Sequence, residues 1–156
     1  MKKKIAILGS TGSIGKSLLD IVKKDKKNFE IFLLTGHKNL KLLLSQVKFF
    51  DVKNIIITDQ ENYLRAKKIL KKKKINIYNS FDKLKNIFRT KKIDYVMSSI
   101  TGLNGLKPTI NIIKFCKIIA IANKESIICA WDLIKKELKK YNTKFVPVDS
   151  EHFSIW

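Results

Sequence analysis

The stretch "KIAILGSTGSIG", residues 4–15, decides the fold because it joins a strand pattern to a helix pattern through closely spaced glycines. It opens with a short apolar run that is typical of a buried strand. Gly9, Gly12 and Gly15 follow at a spacing of three, and an amphipathic segment over 13–24 begins among them. A strand, a glycine turn and a helix in this order are typical of proteins that bind the pyrophosphate of a dinucleotide.

Each glycine of this turn has a separate physical role in such a site. Gly9 would allow the tight turn, Gly12 would let backbone N–H groups approach the pyrophosphate, and Gly15 would allow close helix–strand packing. The positive end of the helix dipole would face the phosphate charge. Three hydroxyls offer further hydrogen-bond donors, those of Ser10, Thr11 and Ser13. The alternative is a turn that is structural only, since a glycine triplet by itself is weak evidence.

The rest of the chain repeats the alternation of short apolar segments and longer helical segments. Strands are expected at 4–9, 30–36, 53–58, 76–79, 93–100, 117–123 and 143–149. Helices are expected at 13–24, 39–50, 60–73, 81–90, 106–116 and 125–141. The alternation indicates βαβ units, and consecutive apolar residues within the strands indicate helices on both faces of the sheet. We therefore expect an α/β fold, a doubly wound, Rossmann-like and mostly parallel sheet.

Length and composition limit the class of protein. The 156 residues are the length of one ordinary domain, and 45% hydrophobic residues are typical of a packed core. The apolar runs are too short to span a bilayer, and the N-terminus lacks a cleavage-like site. We therefore expect a cytoplasmic protein with no membrane partner. Cys116 and Cys129 match no metal or redox spacing, and both are expected to be small core residues.

The net charge of +20 raises the alternative of a protein that binds nucleic acid. The charge is nearly all lysine and is spread along the chain, with Arg65 and Arg89 as the arginines. Nucleic-acid motifs and aromatic residues interleaved with basic ones are missing from the sequence. The run "KKILKKKK" from Lys67 is expected to be the exposed end of a helix. We expect no specific nucleic-acid partner, although a non-catalytic nucleotide-binding or basic nucleic-acid-binding module stays an alternative.

The end of the second expected strand bears on the choice of cofactor. In sheets that bind NAD, an acidic residue about 20 positions beyond the glycines takes the ribose 2′-hydroxyl. At the matching place this chain has "TGHKN", residues 35–39, with no acidic residue. A cation there attracts a 2′-phosphate, so NADPH is favoured over NADH. The alternative is that Lys38 is one more surface lysine of a lysine-rich chain.

Four motifs together carry a resemblance to a known family: "GSTGSIG" (9–15), "SSITGLNGLKPT" (98–109), "IANKES" (121–126) and "PVDSEH" (147–152). In order and spacing the first, third and fourth resemble the 1-deoxy-D-xylulose 5-phosphate reductoisomerase family, and the segment 98–109 between them is also similar to that family's. The resemblance implies an NADPH-dependent oxidoreductase of the non-mevalonate isoprenoid pathway. Its phosphosugar substrate, 1-deoxy-D-xylulose 5-phosphate, is rearranged and reduced to 2-C-methyl-D-erythritol 4-phosphate. Another NADP-linked dehydrogenase, of the semialdehyde or homoserine type, is the alternative.

The resemblance also implies a domain organisation. It covers only the N-terminal part of the family's usual length, so residues 1–146 are expected to be the NADPH-binding domain. Residues 147–156 are then the start of the catalytic domain, the remainder of which is absent from this chain. A part of this kind is expected to be inactive alone, and the full-length protein is expected to be a homodimer.

The same resemblance assigns roles to individual residues. The implied cofactor contacts are Thr11, Gly12, Ser13, Ile14, His37, Lys38, Asn39, Asn123 and Glu125. The implied catalytic, substrate-contacting residues are Lys124, Ser150 and Glu151. Asp149 and Glu151 are the implied ligands of Mg²⁺ or Mn²⁺, and carboxylates two residues apart in an extended segment project to the same side. A cation held there would polarise the substrate's oxygen atoms.

Overall fold

A computed structural model of the chain describes residues 1–89 and 92–148. The strands are β1 (Lys3–Leu8), β2 (Phe29–Gly36), β3 (Asn54–Ile57), β4 (Asn76–Tyr78), β5 (Ile93–Ser98), β6 (Cys116–Ile121) and β7 (Lys144–Pro147). The α-helices are α1 (Ser13–Lys24), α2 (Leu40–Phe50), α3 (Gln60–Ile69), α4 (Leu84–Phe88), α5 (Leu106–Ile112) and α6 (Lys124–Tyr141). Three short 3₁₀ turns adjoin α4 and α5, at Phe81–Lys83, Leu103–Gly105 and Ile113–Phe115.

The described strands form one sheet in the order β4-β3-β2-β1-β5-β6-β7, and every neighbouring pair is parallel. The chain lays down β1 to β4 outward in one direction and then returns to place β5 on the free side of β1. The switch point between the two halves therefore lies between β1 and β5, where ligands bind in sheets of this type. The expected doubly wound fold is confirmed.

Helices cover both faces of the sheet, and the side chains of β1 show how the core divides. Ile5 and Ile7 belong to one hydrophobic cluster, whereas Ala6 and Leu8 belong to the other. This alternation follows from the two-residue period of a strand. Representative helical members are Leu19, Leu43 and Ala66 from α1–α3 in the first cluster, and Leu84, Ile112 and Ile134 from α4–α6 in the second.

The register of the central strands brings the motifs of the sequence to one edge. Leu8 at the end of β1 pairs with Ser98, Ser98 pairs with Ile121, and Ile121 pairs with Pro147. The segments that follow Leu8, Ser98 and Ile121 therefore leave the sheet side by side at its carboxyl edge. Among them are the glycine turn and the start of α6.

The helix expected over 60–73 ends earlier, at Ile69, with the buried Leu70 after it. The lysines at 71–74 are exposed as expected, but they form a turn in which the Lys73 N–H donates to the Leu70 carbonyl. Four consecutive lysines have no apolar side chain to pack on the sheet and repel one another. The helix therefore ends just before Leu70, the last buried residue ahead of the lysines.

The other helical segments also differ in detail from the expectation. The segments expected at 81–90 and 106–116 are short α-helices joined to 3₁₀ turns rather than single helices. Inside α6, Ala130 has non-helical dihedral angles, φ −146° and ψ 32°. Among the described residues, no helix is both long and apolar enough to cross a bilayer.

The two cysteines have different environments, so the expectation that both are core residues is wrong for one of them. Cys116 is buried, and its burial raises the pKa of the thiol to about 12. Cys129 is exposed, in a part of α6 where no residue between Ser126 and Ile134 is buried and where the non-helical Ala130 interrupts the helix.

Candidate functional site

Two of the three glycines in the turn after β1 are required by the protein itself. Gly9 has a positive φ of 84°, and a Cβ atom there would lie 2.8 Å from the Ser99 carbonyl oxygen. A Cβ atom at Gly15 would lie 2.5 Å from the Gly9 carbonyl oxygen and 2.7 Å from the Cα of Ser10. Both contacts are with backbone, so neither can be relieved by a side-chain rotation. The turn is tight and packs closely, as expected.

Gly12 differs because nothing among the described residues requires a glycine there. Its backbone is extended, with φ −75° and ψ 172°, and a Cβ atom would approach the Gly9 carbonyl oxygen at 3.4 Å, an ordinary contact. Gly12 is the N-cap of α1, and no side chain caps this helix. Gly12, Ser13 and Ile14 are all exposed, and the first turn has no acidic residue. The uncapped N–H groups and the helix dipole suit this position to an anion.

Ser10 has a structural role instead of the expected phosphate contact. It is fully buried, and its hydroxyl donates to Gln46 Oε1 at 2.8 Å. Gln46 Nε2 donates back to the Ser10 carbonyl at 2.9 Å, and the Ser10 N–H donates to the Thr35 carbonyl at 3.0 Å. The Ser10 side chain therefore joins the turn to β2 and α2. Thr11 is half-buried and Ser13 is exposed, so their hydroxyls remain candidate donors.

The loop between β2 and α2 presents His37, Lys38 and Asn39, all of them exposed. Asn39 is the N-cap of α2, and its Oδ1 accepts from the Leu42 N–H at 3.1 Å. Its amide NH₂ stays available for a ligand. Within residues 1–89 and 92–148 the Lys38 side chain has no hydrogen-bond or ion-pair partner, so its charge is not neutralised locally.

Thr58 and Asn62, which sequence reasoning missed, contact this loop from the neighbouring strand and helix. Thr58 Oγ1 lies 3.0 Å from His37 Nδ1, and Asn62 Nδ2 donates to the carbonyls of His37 and Lys38. Gly36 at the end of β2 pairs with Ile57 at the end of β3. Because parallel strands end at the same edge of the sheet, the polar residues just after β3 could have been predicted to lie near this loop.

Asn123 at the start of α6 has a buried side chain, 3% exposed, that ties two segments together. Its Nδ2 donates to the carbonyls of Ile100 and Gly102, and its Oδ1 accepts from the Ser126 N–H. Both amide hydrogens are therefore used inside the protein. A cofactor contact by Asn123 would involve its main chain or the second lone pair of Oδ1. That contact stays a prediction.

Lys124 and Glu125 are exposed in the first turn of α6, next to an apolar cleft of about 380 Å³. Lys124 lines this cleft with side chains from the ends of β6 and β7 and from α6, including Trp131 and Phe145. The geometry places a cation beside an apolar surface at the carboxyl edge of the sheet. This arrangement suits a ligand with one anionic and one apolar part.

Among the described residues, the carboxyl group with the clearest pKa shift is that of Asp94, at the opposite edge of the sheet. The hydrogen bond from Lys117 and the Lys4 N–H hold the pKa of Asp94 below its ordinary value. Burial raises the pKa of Tyr95, the next residue of β5. Neither group lies at the carboxyl edge, where the candidate site is.

The expected metal and substrate residues Asp149, Ser150 and Glu151 lie outside the described residues. In the described part of the chain there is no group of three or more His, Cys, Asp or Glu side chains that could hold a metal ion. The assignment of Asp149 and Glu151 as metal ligands therefore stays a prediction.

Comparison with known proteins gives consistent results. A sequence profile of the 1-deoxy-D-xylulose 5-phosphate reductoisomerase family matches residues 5–131. The 1-deoxy-D-xylulose 5-phosphate reductoisomerase of Pelagibacter ubique is 65% identical over 99% of this chain, and the chain covers 40% of that protein. The chain thus spans less than half the length of such relatives.

Solved structures of related proteins share the fold. The 1-deoxy-D-xylulose 5-phosphate reductoisomerase of Zymomonas mobilis in complex with NADPH superposes with a TM-score of 0.89 at 31% identity, covering 100% of this chain and 42% of that one. A reductoisomerase in complex with NADPH, fosmidomycin and magnesium gives a TM-score of 0.87 at 33% identity, over 96% of this chain and 37% of that one. Because the family profile matches most of its length, the chain belongs to the 1-deoxy-D-xylulose 5-phosphate reductoisomerase family.

Proposed function

We propose that this chain binds NADPH as the cofactor domain of a 1-deoxy-D-xylulose 5-phosphate reductoisomerase. The observation that carries the proposal is the start of α1, where Gly12 leaves the N–H groups of the first turn uncapped and exposed. The pyrophosphate of a dinucleotide has the charge and the acceptor oxygens that such a helix end favours. Family membership favours this function over another NADP-linked dehydrogenase or a non-catalytic module.

The residues proposed to hold the cofactor fall into three groups along the carboxyl edge. Thr11, Ser13 and Ile14 would bind the pyrophosphate through their N–H and hydroxyl groups. Gly12, whose own N–H donates to the Gly9 carbonyl at 3.1 Å, would let the pyrophosphate approach the backbone. The 2′-phosphate would lie against the second group, His37, Lys38 and Asn39. Asn123 and Glu125 complete the set at the start of α6. The register of β1, β5 and β6 supports the proximity of the first and third groups.

The proposed reaction is the rearrangement and reduction of 1-deoxy-D-xylulose 5-phosphate to 2-C-methyl-D-erythritol 4-phosphate. When bound, NADPH supplies the hydride for the reduction. Lys124, Ser150 and Glu151 would contact the phosphosugar, and the position of Lys124 beside the apolar cleft is consistent with that role. Asp149 and Glu151 are hard oxygen donors of the kind that Mg²⁺ and Mn²⁺ bind, and a metal site there would orient the substrate's oxygens.

The division into a cofactor domain at 1–146 and the start of a catalytic domain at 147–156 is part of the same proposal. So are a homodimeric full-length protein and a cytoplasmic location. The magnesium and NADPH named for the related structure support the choice of ligands. The first test concerns the cofactor, because it can be made on this chain alone.

NADPH and NADH are titrated against the chain while the fluorescence of the nicotinamide is followed. We expect NADPH to bind more tightly than NADH. In Lys38→Ala the difference in binding free energy between the two cofactors should be smaller by about 1–2 kcal/mol, as for the loss of one charge-assisted contact. Lys41→Ala is the matched control, since Lys41 is an exposed lysine in the first turn of α2. Equal affinities of the unsubstituted chain for NADPH and NADH would contradict the proposal.

The proposed reaction is tested by NADPH oxidation with 1-deoxy-D-xylulose 5-phosphate and Mn²⁺. The assay uses a longer chain, which also carries the region that corresponds to the remaining length of the relatives. Activity that depends on the metal and is lost in Glu151→Gln is the expected result. Activity that survives both removal of the metal and this substitution would overturn the assignment of Glu151.

A further inference from the structure

The loop proposed to hold the 2′-phosphate is fixed by a residue of α3. Asn62 Nδ2 lies 3.3 Å from the His37 carbonyl oxygen and 3.1 Å from the Lys38 carbonyl oxygen, and it donates to both. Asn62 is itself held in the first turn of α3, because its N–H donates to Oδ1 of the N-cap Asp59 at 2.9 Å. The amide that contacts the loop therefore stands on a capped helix.

A second contact on the same side restricts the loop further. Thr58 Oγ1 hydrogen-bonds His37 Nδ1 at 3.0 Å, and the Thr58 N–H donates to the Gly36 carbonyl at 3.1 Å. Thr58 directly follows β3, so its position is set by the sheet. Thr58 is thus joined by a main-chain hydrogen bond to Gly36, the last residue of β2, and by a side-chain hydrogen bond to His37, the first residue after it.

The contacts of Asn62 matter for an anion because of the groups that they engage. Carbonyl oxygens carry partial negative charge, and one that is left unpaired beside a phosphate would repel it. The Lys38 carbonyl also accepts from the Leu40 N–H at 3.0 Å. Asn62 is therefore a second donor to the Lys38 carbonyl, and its NH₂ group pairs the His37 carbonyl as well. The ammonium group of Lys38 has no hydrogen-bond or ion-pair partner among the described residues, so its position depends on how the Lys38 main chain is held.

We propose that Asn62 is a positioning residue for cofactor selectivity, which favours NADPH over NADH by holding the carbonyl groups of His37 and Lys38. The inference rests on the proposed binding of NADPH. It goes beyond the family resemblance, which assigned no role to α3. Asn62 acts on the cofactor through the loop.

The test is the ratio of the dissociation constants for NADH and NADPH, measured for the unsubstituted chain and for three variants. Asn62→Ala removes the amide, and we expect the ratio to fall about fivefold with less than a twofold change for NADH, as for one net hydrogen bond. Asn62→Asp turns a carboxylate toward the two carbonyls and adds a negative charge near the loop, so a fall of more than about tenfold is expected. Asn86→Asp adds the same charge on the exposed surface of α4 and should leave the ratio unchanged.

A merely structural role for Asn62 predicts a different result. It would weaken NADPH and NADH equally, and that outcome overturns the inference, as does an unchanged ratio in Asn62→Ala. The comparison of 2′,5′-ADP with 5′-AMP repeats the test without the nicotinamide, and thermal unfolding confirms that each variant is folded. Failure of the unsubstituted chain to bind NADPH contradicts the proposed function itself, so the two failures are distinguishable.

Discussion

The first two strand–helix connections of this protein leave the same edge of the sheet but end in opposite ways. After β1, the N-cap of α1 is Gly12, and no side chain caps the helix. After β2, the N-cap of α2 is Asn39, whose Oδ1 accepts from the Leu42 N–H, and the carbonyls of His37 and Lys38 accept from Asn62. An N-cap Asn stabilises a helix by about 1 kcal/mol relative to alanine but by only a few tenths relative to glycine. The Gly12 N-cap therefore costs α1 little stability, and it leaves donors exposed, as a site for an anion requires.

The glycines of the first connection divide in the same manner. Gly9 and Gly15 are dictated by contacts inside the protein, whereas Gly12 has room for a methyl group and ordinary dihedral angles. A glycine that the fold itself does not need is the one that a ligand is expected to need. Substitutions within one short turn can therefore separate stability from binding.

The largest effect is expected for Gly15→Ala. Its methyl group would lie 2.5 Å from the Gly9 carbonyl oxygen and 2.7 Å from the Ser10 Cα, so α1 must move away from the turn. We expect the free energy of unfolding to fall by about 3 kcal/mol, with a melting temperature lower by about 10 °C. Urea and thermal unfolding followed by circular dichroism measure both quantities. A variant as stable as the unsubstituted chain would show that the packing of α1 on the turn is misplaced.

Gly12→Ala should have the opposite effect to Gly15→Ala, with little change in stability and a large loss of NADPH affinity. The added methyl group meets nothing closer than the Gly9 carbonyl oxygen at 3.4 Å, and alanine is a weaker N-cap than glycine, so the free energy of unfolding should change by less than about 1 kcal/mol. The affinity for NADPH should fall at least tenfold, about 1.4 kcal/mol, because the methyl group obstructs the approach of the pyrophosphate. If a folded Gly12→Ala variant bound NADPH with unaltered affinity, the pyrophosphate would not lie at the start of α1, and the proposed function would lose its main support.

The second connection is probed by two substitutions of Asn39. Asn39→Ala removes the cap of α2 and should cost about 1 kcal/mol of stability. Asn39→Asp keeps an oxygen for the Leu42 N–H, so stability should hold, but its charge should repel a 2′-phosphate and weaken NADPH more than NADH. Unfolding and cofactor titration are measured on both variants. If Asn39→Asp still preferred NADPH over NADH by the same factor, the 2′-phosphate would not bind at this loop.

The parts of the fold that sequence reasoning predicted are those with a local cause. Strand β1 and helix α1 were expected at 4–9 and 13–24, within a residue of their observed ends, because an apolar run, a glycine turn and an amphipathic period lie next to one another. The order of the motifs along one edge followed from the parallel sheet, which the alternation of strands and helices already indicated.

The parts that were missed depend on contacts between distant segments. The burial of Ser10 is set by Gln46 of α2, and the pairing of Asn123 is set by the carbonyls of Ile100 and Gly102. Nothing near Asn62 in the sequence shows that its amide reaches the carbonyls of His37 and Lys38. A motif states which residue types are present, but the partners of a polar side chain are fixed only by the packed structure.

The smallest effect is expected at the amino edge of the sheet, where a charge is satisfied by the protein itself. Asp94 accepts hydrogen bonds from Lys117 Nζ and from the Lys4 N–H, each at 2.8 Å, and these hold the pKa of its carboxyl below the ordinary value of 3.8. The Lys117 side chain is 64% exposed, so water and salt weaken the pair. We expect Asp94→Asn to lower the free energy of unfolding at pH 7 by about 0.5 kcal/mol.

The pH dependence gives this prediction its sign. Because the pKa of Asp94 is lower in the folded chain than in the unfolded chain, its stabilisation is complete above the unfolded-state value and is lost as the pH falls through the folded-state value. The stability difference between the unsubstituted chain and Asp94→Asn should therefore be constant above about pH 5 and vanish at lower pH. Asp20→Asn, which removes an exposed carboxylate on α1, is the control. NADPH affinity should be unchanged in Asp94→Asn, and a loss of binding there would show that the cofactor site is not confined to the carboxyl edge.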